Sequence, residues 1–282
     1  MTSTPLTNSQ IKKKALERLK GKWGTTISFS VFKSAFLLIF VTVELLLYVI
    51  FRHIGIEYSF YPSFLLGTGL GRFMLSVRIL LLLFLFTPEY YILRRLMIDI
   101  YEGNNFVETR RYIQYNSRKI HPKSTLASVL PTMLKFFAAI PLLIGAAGIY
   151  YFGFKHSGDT LTTVDLFLFM LSIGFSIVWT GVFIHYCISL TMTKYIMSLN
   201  PRANVFDACD LSVKLMDGNH GRYLSLLLSF AKYIPLLLLI YPYFVFEPYF
   251  KMTFIAFAED VMRSYWQDKY PAMIKRWNKY AR

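Results

Sequence analysis

Five side chains bring charge or a titratable ring into stretches of this sequence that are otherwise apolar: Glu44, Arg72, Arg78, His185 and Lys232. In hydrocarbon such groups are costly unless paired, hydrated or close to an interface, so each is by default a hint of function. Glu44 lies 17 residues beyond Ile27, about 25 Å along a helix at 1.5 Å per residue. Arg72 and Arg78 fall in the outward half of the next apolar stretch. A Glu44 pair with Arg72 or Arg78 satisfies both charges, either as a fixed interhelical ion pair or as part of a polar path. His185 is expected to make an interhelical hydrogen bond. Lys33 and Lys135 sit near the ends of their stretches and can snorkel, whereas Lys232 falls about 15 Å into the fifth. Asp165 completes the set of buried polar candidates, and Glu247 is expected to be solvated at the outer interface.

No soluble-type catalytic machinery accompanies them. A serine-hydrolase elbow, a phosphate-binding loop and paired-cysteine motifs are all missing from the sequence,. Gly67, Gly69 and Gly71 begin a dinucleotide fingerprint, but the strand, turn and downstream acid it requires are absent,. Gly67 and Gly71, like Gly145 and Gly148, instead suit small-residue packing between membrane helices. The histidines His53, His121, His156, His185 and His220 contain no pair at the i, i+4 spacing that places two imidazoles on one metal,. Cys187 and Cys209 do not make a disulfide framework,. No catalytic residue, cofactor or metal site is therefore expected.

The elements that must position these residues are read from hydropathy. With 282 residues, 55% hydrophobic composition and mean hydropathy +0.43, the chain has more apolar surface than one soluble domain buries,. Lipid is the expected cover, with the 18% aromatic content suited to the boundary with headgroups,. The net charge of +15 falls between apolar runs, which favours a cytoplasmic face attracted to anionic headgroups over nucleic-acid binding.

Apolar stretches run over Ile27–Phe51, Leu65–Ile100 (interrupted by Pro88), Leu126–Phe152, Leu166–Met197 and Tyr223–Ala258. The last, at 36 residues with Pro235, Pro242 and Pro248, exceeds one span and is tight for two. The prolines predict a span ending near Tyr243 and a short one starting at Pro248; a single crossing and a re-entrant hairpin are the alternatives. With six spans, 23 Lys and Arg lie inside against three outside, namely Arg52, Lys155 and Lys251. Five spans would place the basic tail outside, against the retention of Lys and Arg in the cytoplasm.

The expected fold is thus all-α: a polytopic transmembrane helical bundle of about six spans, five being possible, in the cell membrane with both termini cytoplasmic. Residues 1–26 form a basic N-terminal segment, 27–258 the bundle and 259–282 a basic cytoplasmic tail. From Ser9 to Trp23, Ile11, Ala15, Leu16, Leu19 and Trp23 share one helical face among lysines, the mark of an interfacial amphipathic helix or of a basic tail that sets orientation. Within the bundle, Asn200-Pro201 and Gly218 bracket a cytoplasmic amphipathic helix over 201–217. Its face of Val205, Ala208, Cys209, Ser212, Leu215 and Met216 is expected against the membrane or another loop,.

The run from Ile11 through Lys12-Lys13-Lys14-Ala15-Leu16-Glu17-Arg18-Leu19-Lys20-Gly21-Lys22 to Trp23, followed at once by a span, resembles the start of an uncharacterised bacterial integral-membrane family catalogued as domain of unknown function 975. Asn200-Pro201, Ser212, Leu215-Met216, Gly218-Asn219, Leu228-Ser229-Phe230, Pro248-Tyr249 and Thr253 resemble its most recognisable stretch. Where the family usually carries a Pro-Gly pair in the fourth span, this chain has Val182-Phe183. The resemblance implies a multi-span bacterial membrane protein without an established activity, and no site residue is carried over. The functional expectation is a non-enzymatic accessory or scaffold component of an envelope process, with anionic headgroups and another membrane protein as candidate partners and no nucleic acid. A transporter or permease subunit for an amphiphilic or lipid-like solute comes second, a membrane-embedded enzyme third.

Overall fold

A computed structural model describes residues 5–55, 67–81, 87–103, 109–155, 162–200, 203–238 and 240–269. These residues are helical apart from short turns, with no strand among them. The α-helices are α1 (Asn8–Leu19), α2 (Trp23–His53), α3 (Gly69–Leu81), α4 (Thr87–Glu102), α5 (Thr109–Tyr150), α6 (Thr163–Ser189), α7 (Thr193–Leu199), α8 (Val205–Met216), α9 (His220–Leu228) and α10 (Ile240–Lys269), with a 3₁₀ segment at Ala231–Leu238. The chain divides into two compact units, Met1–Thr125 with Ser225–Arg282, and Leu126–Leu224.

In the first unit, α1 opens with a capping box. Thr7 accepts from the Gln10 amide while the Gln10 side chain accepts from the Thr7 amide at 2.8 Å, which satisfies two otherwise orphaned donors,. The helix ends at Leu19 because the chain turns through Gly21 at φ +77, a conformation only glycine adopts cheaply. Trp23 consequently starts α2 instead of extending the α1 face, and Leu16 is exposed. Ile11, Ala15 and Leu19 are fully buried. Their cover is protein: α1 packs on α10, whose residues Met252–Ala258 and Val261 are buried, and on α4, where Leu96–Ile98, Ile100 and Tyr101 are buried, while α2 packs on α10 and buries Thr26 and Ser30. Each large apolar side chain so buried contributes about 1.5–3 kcal/mol.

The segment from 225 onward does not follow the expected pair of spans. After α9, the 3₁₀ segment leads away from Phe230, and α10 then runs unbroken from Ile240 through Pro242 and Pro248. Pro242 falls in the first helical turn, where an amide hydrogen has no intrahelical partner in any case, and Pro248 removes only one ladder bond. A helix end near Tyr243 is therefore not enforced. Phe230 meets the returning arm edge-on at Phe246, Tyr249 and Phe250, with ring centroids 5.7, 5.5 and 5.1 Å away. The outgoing arm of eight 3₁₀ residues covers about 16 Å, and the return from Ile240 to Phe250 covers about 15 Å. The two arms match, and each is about half the thickness of a hydrocarbon core.

In the second unit, α5 and α6 approach closely through glycine. A Cβ on Gly145 would collide with Ser176 Oγ, and one on Gly148 would lie 2.5 Å from Ser172 Oγ. Trp179 Nε1 donates to the Ala138 carbonyl at 2.8 Å. These glycines pack as expected, but Gly67 faces open space and contributes no such contact. Thr162 and Asp165 form the capping box of α6, so Asp165 acts as a helix cap. The helix foreseen at 201–217 starts later, at Val205: Asn204 caps it by accepting from the Phe206 amide at 3.3 Å, while Asn200 closes α7. The whole expected face, Val205, Ala208, Cys209, Ser212, Leu215 and Met216, is buried. It rests on α6 and α7, with Ser212 Oγ donating to the Ser189 carbonyl at 2.6 Å.

Gly145→Leu is expected to push α5 from α6 and destabilise the protein by about 1–3 kcal/mol. Gly174→Leu, at a helical glycine where an added side chain meets open space, serves as the comparison, and thermal unfolding in nanodiscs reads both. Equal midpoints for the two variants would contradict the close approach.

Candidate functional site

Of the candidate polar residues, Glu44 and Arg78 come together. Arg78 Nε donates to Glu44 Oε1 at 2.8 Å and its terminal nitrogen to Oε2 at 2.5 Å, a two-pronged contact between α2 and α3,. The side chains are 15% and 16% exposed. Arg72 lies six residues earlier, some 240° around the helix at about 100° per residue, and is exposed. Helical phase thus selects Arg78 from the two expected partners. The side chain of Lys33 lies outside the described residues, and Lys135 is half-buried.

Lys232 is not deep in a continuous helix. It is exposed on the 3₁₀ segment, its ammonium 5.1 Å from the Tyr233 ring. Nearby, Lys12 of α1 holds its Nζ 4.2 Å over the Phe230 ring and donates to the Ser229 carbonyl at 3.3 Å. Burial, and then the neighbouring Lys232 charge, push the Lys12 ammonium below the usual lysine range. Asn8 Nδ2 donates to Ser225 Oγ at 2.9 Å, fixing the same helix to α9, which precedes the 3₁₀ segment.

A second charged cluster ties α1 to α10. Lys14 Nζ lies 2.6 Å from Glu259 Oε2, the Tyr101 hydroxyl donates to the same oxygen, and Arg263 pairs with the other. The Leu6 amide meets the Asp260 carboxylate at 3.3 Å. Burial alone would raise the Glu259 carboxyl, but Lys14, Tyr101 and Arg263 together hold it below the usual carboxylate range. Burial and Glu259 push the Tyr101 phenol well above its ordinary value. Sequence reasoning did not connect these residues, since Lys14 and Glu259 are 245 positions apart. Glu247 also departs from expectation: it is 8% exposed and pairs with Lys251 one turn on, at 2.8 Å, where solvation was expected.

In the second unit His185 stacks on His220, centroids 4.0 Å apart and planes 17° from parallel. The hydrogen bond expected of His185 is made instead by His220, whose Nε2 lies 2.8 Å from Ser189 Oγ. Burial and the neighbouring His185 lower the His220 pKa, with Asp217 opposing. Among the described residues no three His, Cys, Asp or Glu side chains are placed to hold a metal ion, and Cys187 and Cys209 are free thiols.

These features define an all-helical protein with two described helices long and apolar enough to cross a bilayer, Thr125–Gly153 and Thr163–Leu199. The chain belongs to the family described as protein of unknown function (DUF975), whose pattern matches residues 1–264. That match takes in α1, the Glu44–Arg78 pair, the histidine stack and the Glu259 cluster. Comparison with curated proteins and with solved structures finds no match.

Glu44→Gln leaves Arg78 without its carboxylate and is expected to cost about 3 kcal/mol. The double replacement Glu44→Gln with Arg78→Gln should cost less than the single one, and equal losses in a thermal double-mutant cycle would rule out a coupled pair. The two lowered pKa values set separate pH windows. The stabilisation from neutral His220 is complete above the ordinary imidazole value of about 6.5 and that from ionised Glu259 above about 4.3; each is lost as pH falls through its lower folded value. Acidification from pH 7.5 to 5 should therefore weaken the histidine contact first. His220→Gln should flatten the dependence of the unfolding midpoint across that range; an unchanged slope would show that another group titrates.

Proposed function

We propose that this chain is a multi-pass protein of the cell membrane, with both termini cytoplasmic, acting as a non-enzymatic scaffold or accessory component of an envelope process. The observation that carries the membrane reading is uncovered apolar surface. In the most apolar stretch of Thr163–Leu199 none of the residues is buried, and in that of Thr125–Gly153 only 11% are. A soluble core helix would be covered by its own protein; these need another apolar phase, and lipid supplies it. The 31-residue α2 adds to this support, with Leu38, Ile39, Leu45, Leu46 and Val49 exposed at 54–66%.

On this reading α2, α3 with α4, α5 and α6 make four crossings, and the 3₁₀ segment with the start of α10 enters the bilayer and returns on the same side. The matched arm lengths support a re-entrant hairpin over the two additional crossings expected from sequence. An even number of crossings agrees with the basic residues before Trp23 and after Arg263 sharing one side,. The scaffold role is supported by polar clusters that are committed to joining helices, Lys14–Glu259–Tyr101 foremost. A permease subunit is the second reading, favoured by the largely buried Glu44–Arg78 pair beside exposed apolar helix surface,.

Extraction of the native protein in lipid nanodiscs, with mass spectrometry of what co-purifies, tests the role. A stoichiometric protein partner is expected; an enriched small solute without one would favour the permease. In a cysteine-free background, Tyr241→Cys at the hairpin tip should resist an impermeant maleimide added outside, and labelling there would mean that the segment crosses fully.

A further inference from the structure

The two inward lysines of α1 have contrasting surroundings. Lys14 meets a carboxylate, Glu259. Lys12 meets no carboxylate among the described residues; it lies against Phe230 and the Ser229 carbonyl, with Lys232 two positions beyond Phe230. Phe230 and Tyr233 have their ring centroids 6.2 Å apart, with the Lys12 ammonium 4.2 Å over the first and the Lys232 ammonium 5.1 Å over the second, so two like charges from elements 220 positions apart in sequence share one aromatic pair, an arrangement whose repulsion an anion between them relieves. Burial and, after it, the Lys232 charge lower the Lys12 pKa, in keeping with that apposition.

What flanks the pair points to the kind of anion. Leu227 and Leu228, immediately before Ser229, are 39% and 63% exposed. Lys232 is exposed as well, so the pair opens outward beside apolar surface. On the membrane reading, this is the mouth of the re-entrant hairpin, beneath a helix with Lys13 and Lys20 also exposed. A small soluble anion would need only the charges. A molecule with a negative head and hydrocarbon chains uses both the charges and the leucines.

We propose that Lys12 and Lys232 jointly bind the phosphate of an anionic phospholipid, with its acyl chains against Leu227 and Leu228. This rests on the membrane reading. The lipid neutralises the paired ammonium groups and thereby fastens α1 to the hairpin, so headgroup charge governs how firmly the N-terminal helix is held.

The test uses the full chain in nanodiscs of phosphatidylcholine, alone or with phosphatidylglycerol, comparing wild type, Lys232→Gln and the exposed-site control Lys13→Gln by thermal unfolding. Phosphatidylglycerol should raise the wild-type and Lys13→Gln midpoints by roughly 2–4 °C and leave Lys232→Gln nearly unchanged. In phosphatidylcholine alone, Lys232→Gln should unfold above wild type because the repulsion is relieved. The proposal is overturned by an equal phosphatidylglycerol response in all three proteins, or by a Lys232→Gln midpoint below wild type in phosphatidylcholine. An equal rise on adding inorganic phosphate to phosphatidylcholine discs would overturn the lipid assignment in favour of a simple anion site. Elution of the chain free of lipid would instead refute the membrane reading itself.

Discussion

The first unit depends on the docking of a basic helix against an apolar one. Helix α10 has buried residues around most of its circumference between Met252 and Val261, and a helix apolar all round is stable only when it is enclosed. Helix α1 supplies part of that enclosure with Ile11, Ala15 and Leu19, while its lysines stay at the rim. Apolar contact gives the energy and Lys14–Glu259 fixes the register, since an ion pair at this exposure contributes modestly by itself,. Tyr101 then joins α4 to the same carboxylate, so three elements meet at one oxygen.

The second unit solves a different problem. Its long helices α5 and α6 have little protein around them, and they associate through close backbone approach at Gly145 and Gly148 and through the Trp179 hydrogen bond. On the proposed membrane reading, lipid is as apolar as leucine, burial gives these helices little reason to associate, and packing of small residues with a few hydrogen bonds takes over. The unit becomes soluble-like only at the other end of α6, where α8 buries a full amphipathic face against α6 and α7.

Much of this was legible from local pattern. The 3.6-residue period gave the whole buried face of α8 and, in α1, Ile11, Ala15 and Leu19 but not Leu16, which is exposed, and depth along the helices brought Glu44 into range of Arg78. What stayed hidden depended on facts that local pattern does not contain. Gly21 cuts the α1 stripe short, so Trp23 belongs to the next helix. Asn204 outcompetes Asn200 as a cap, although both residue types are suitable. Pro242 and Pro248 looked like breaks because their place within the helix was unknown, and Pro242 in the first turn breaks nothing. The His185–His220 stack and the Glu259 cluster are contacts across long sequence separation, which periodicity cannot register.

The 245-residue separation between Lys14 and Glu259 also has a bearing on biogenesis. Helix α1 leaves the ribosome well before its main partner, so the core of the first unit closes only once α10 has emerged,. Until then the basic amphipathic helix has its apolar stripe uncovered, and a membrane surface is a suitable temporary cover. The helix that clasps the finished fold thus passes through a stage with its stripe bare, and a product truncated before Glu259 stays in that stage.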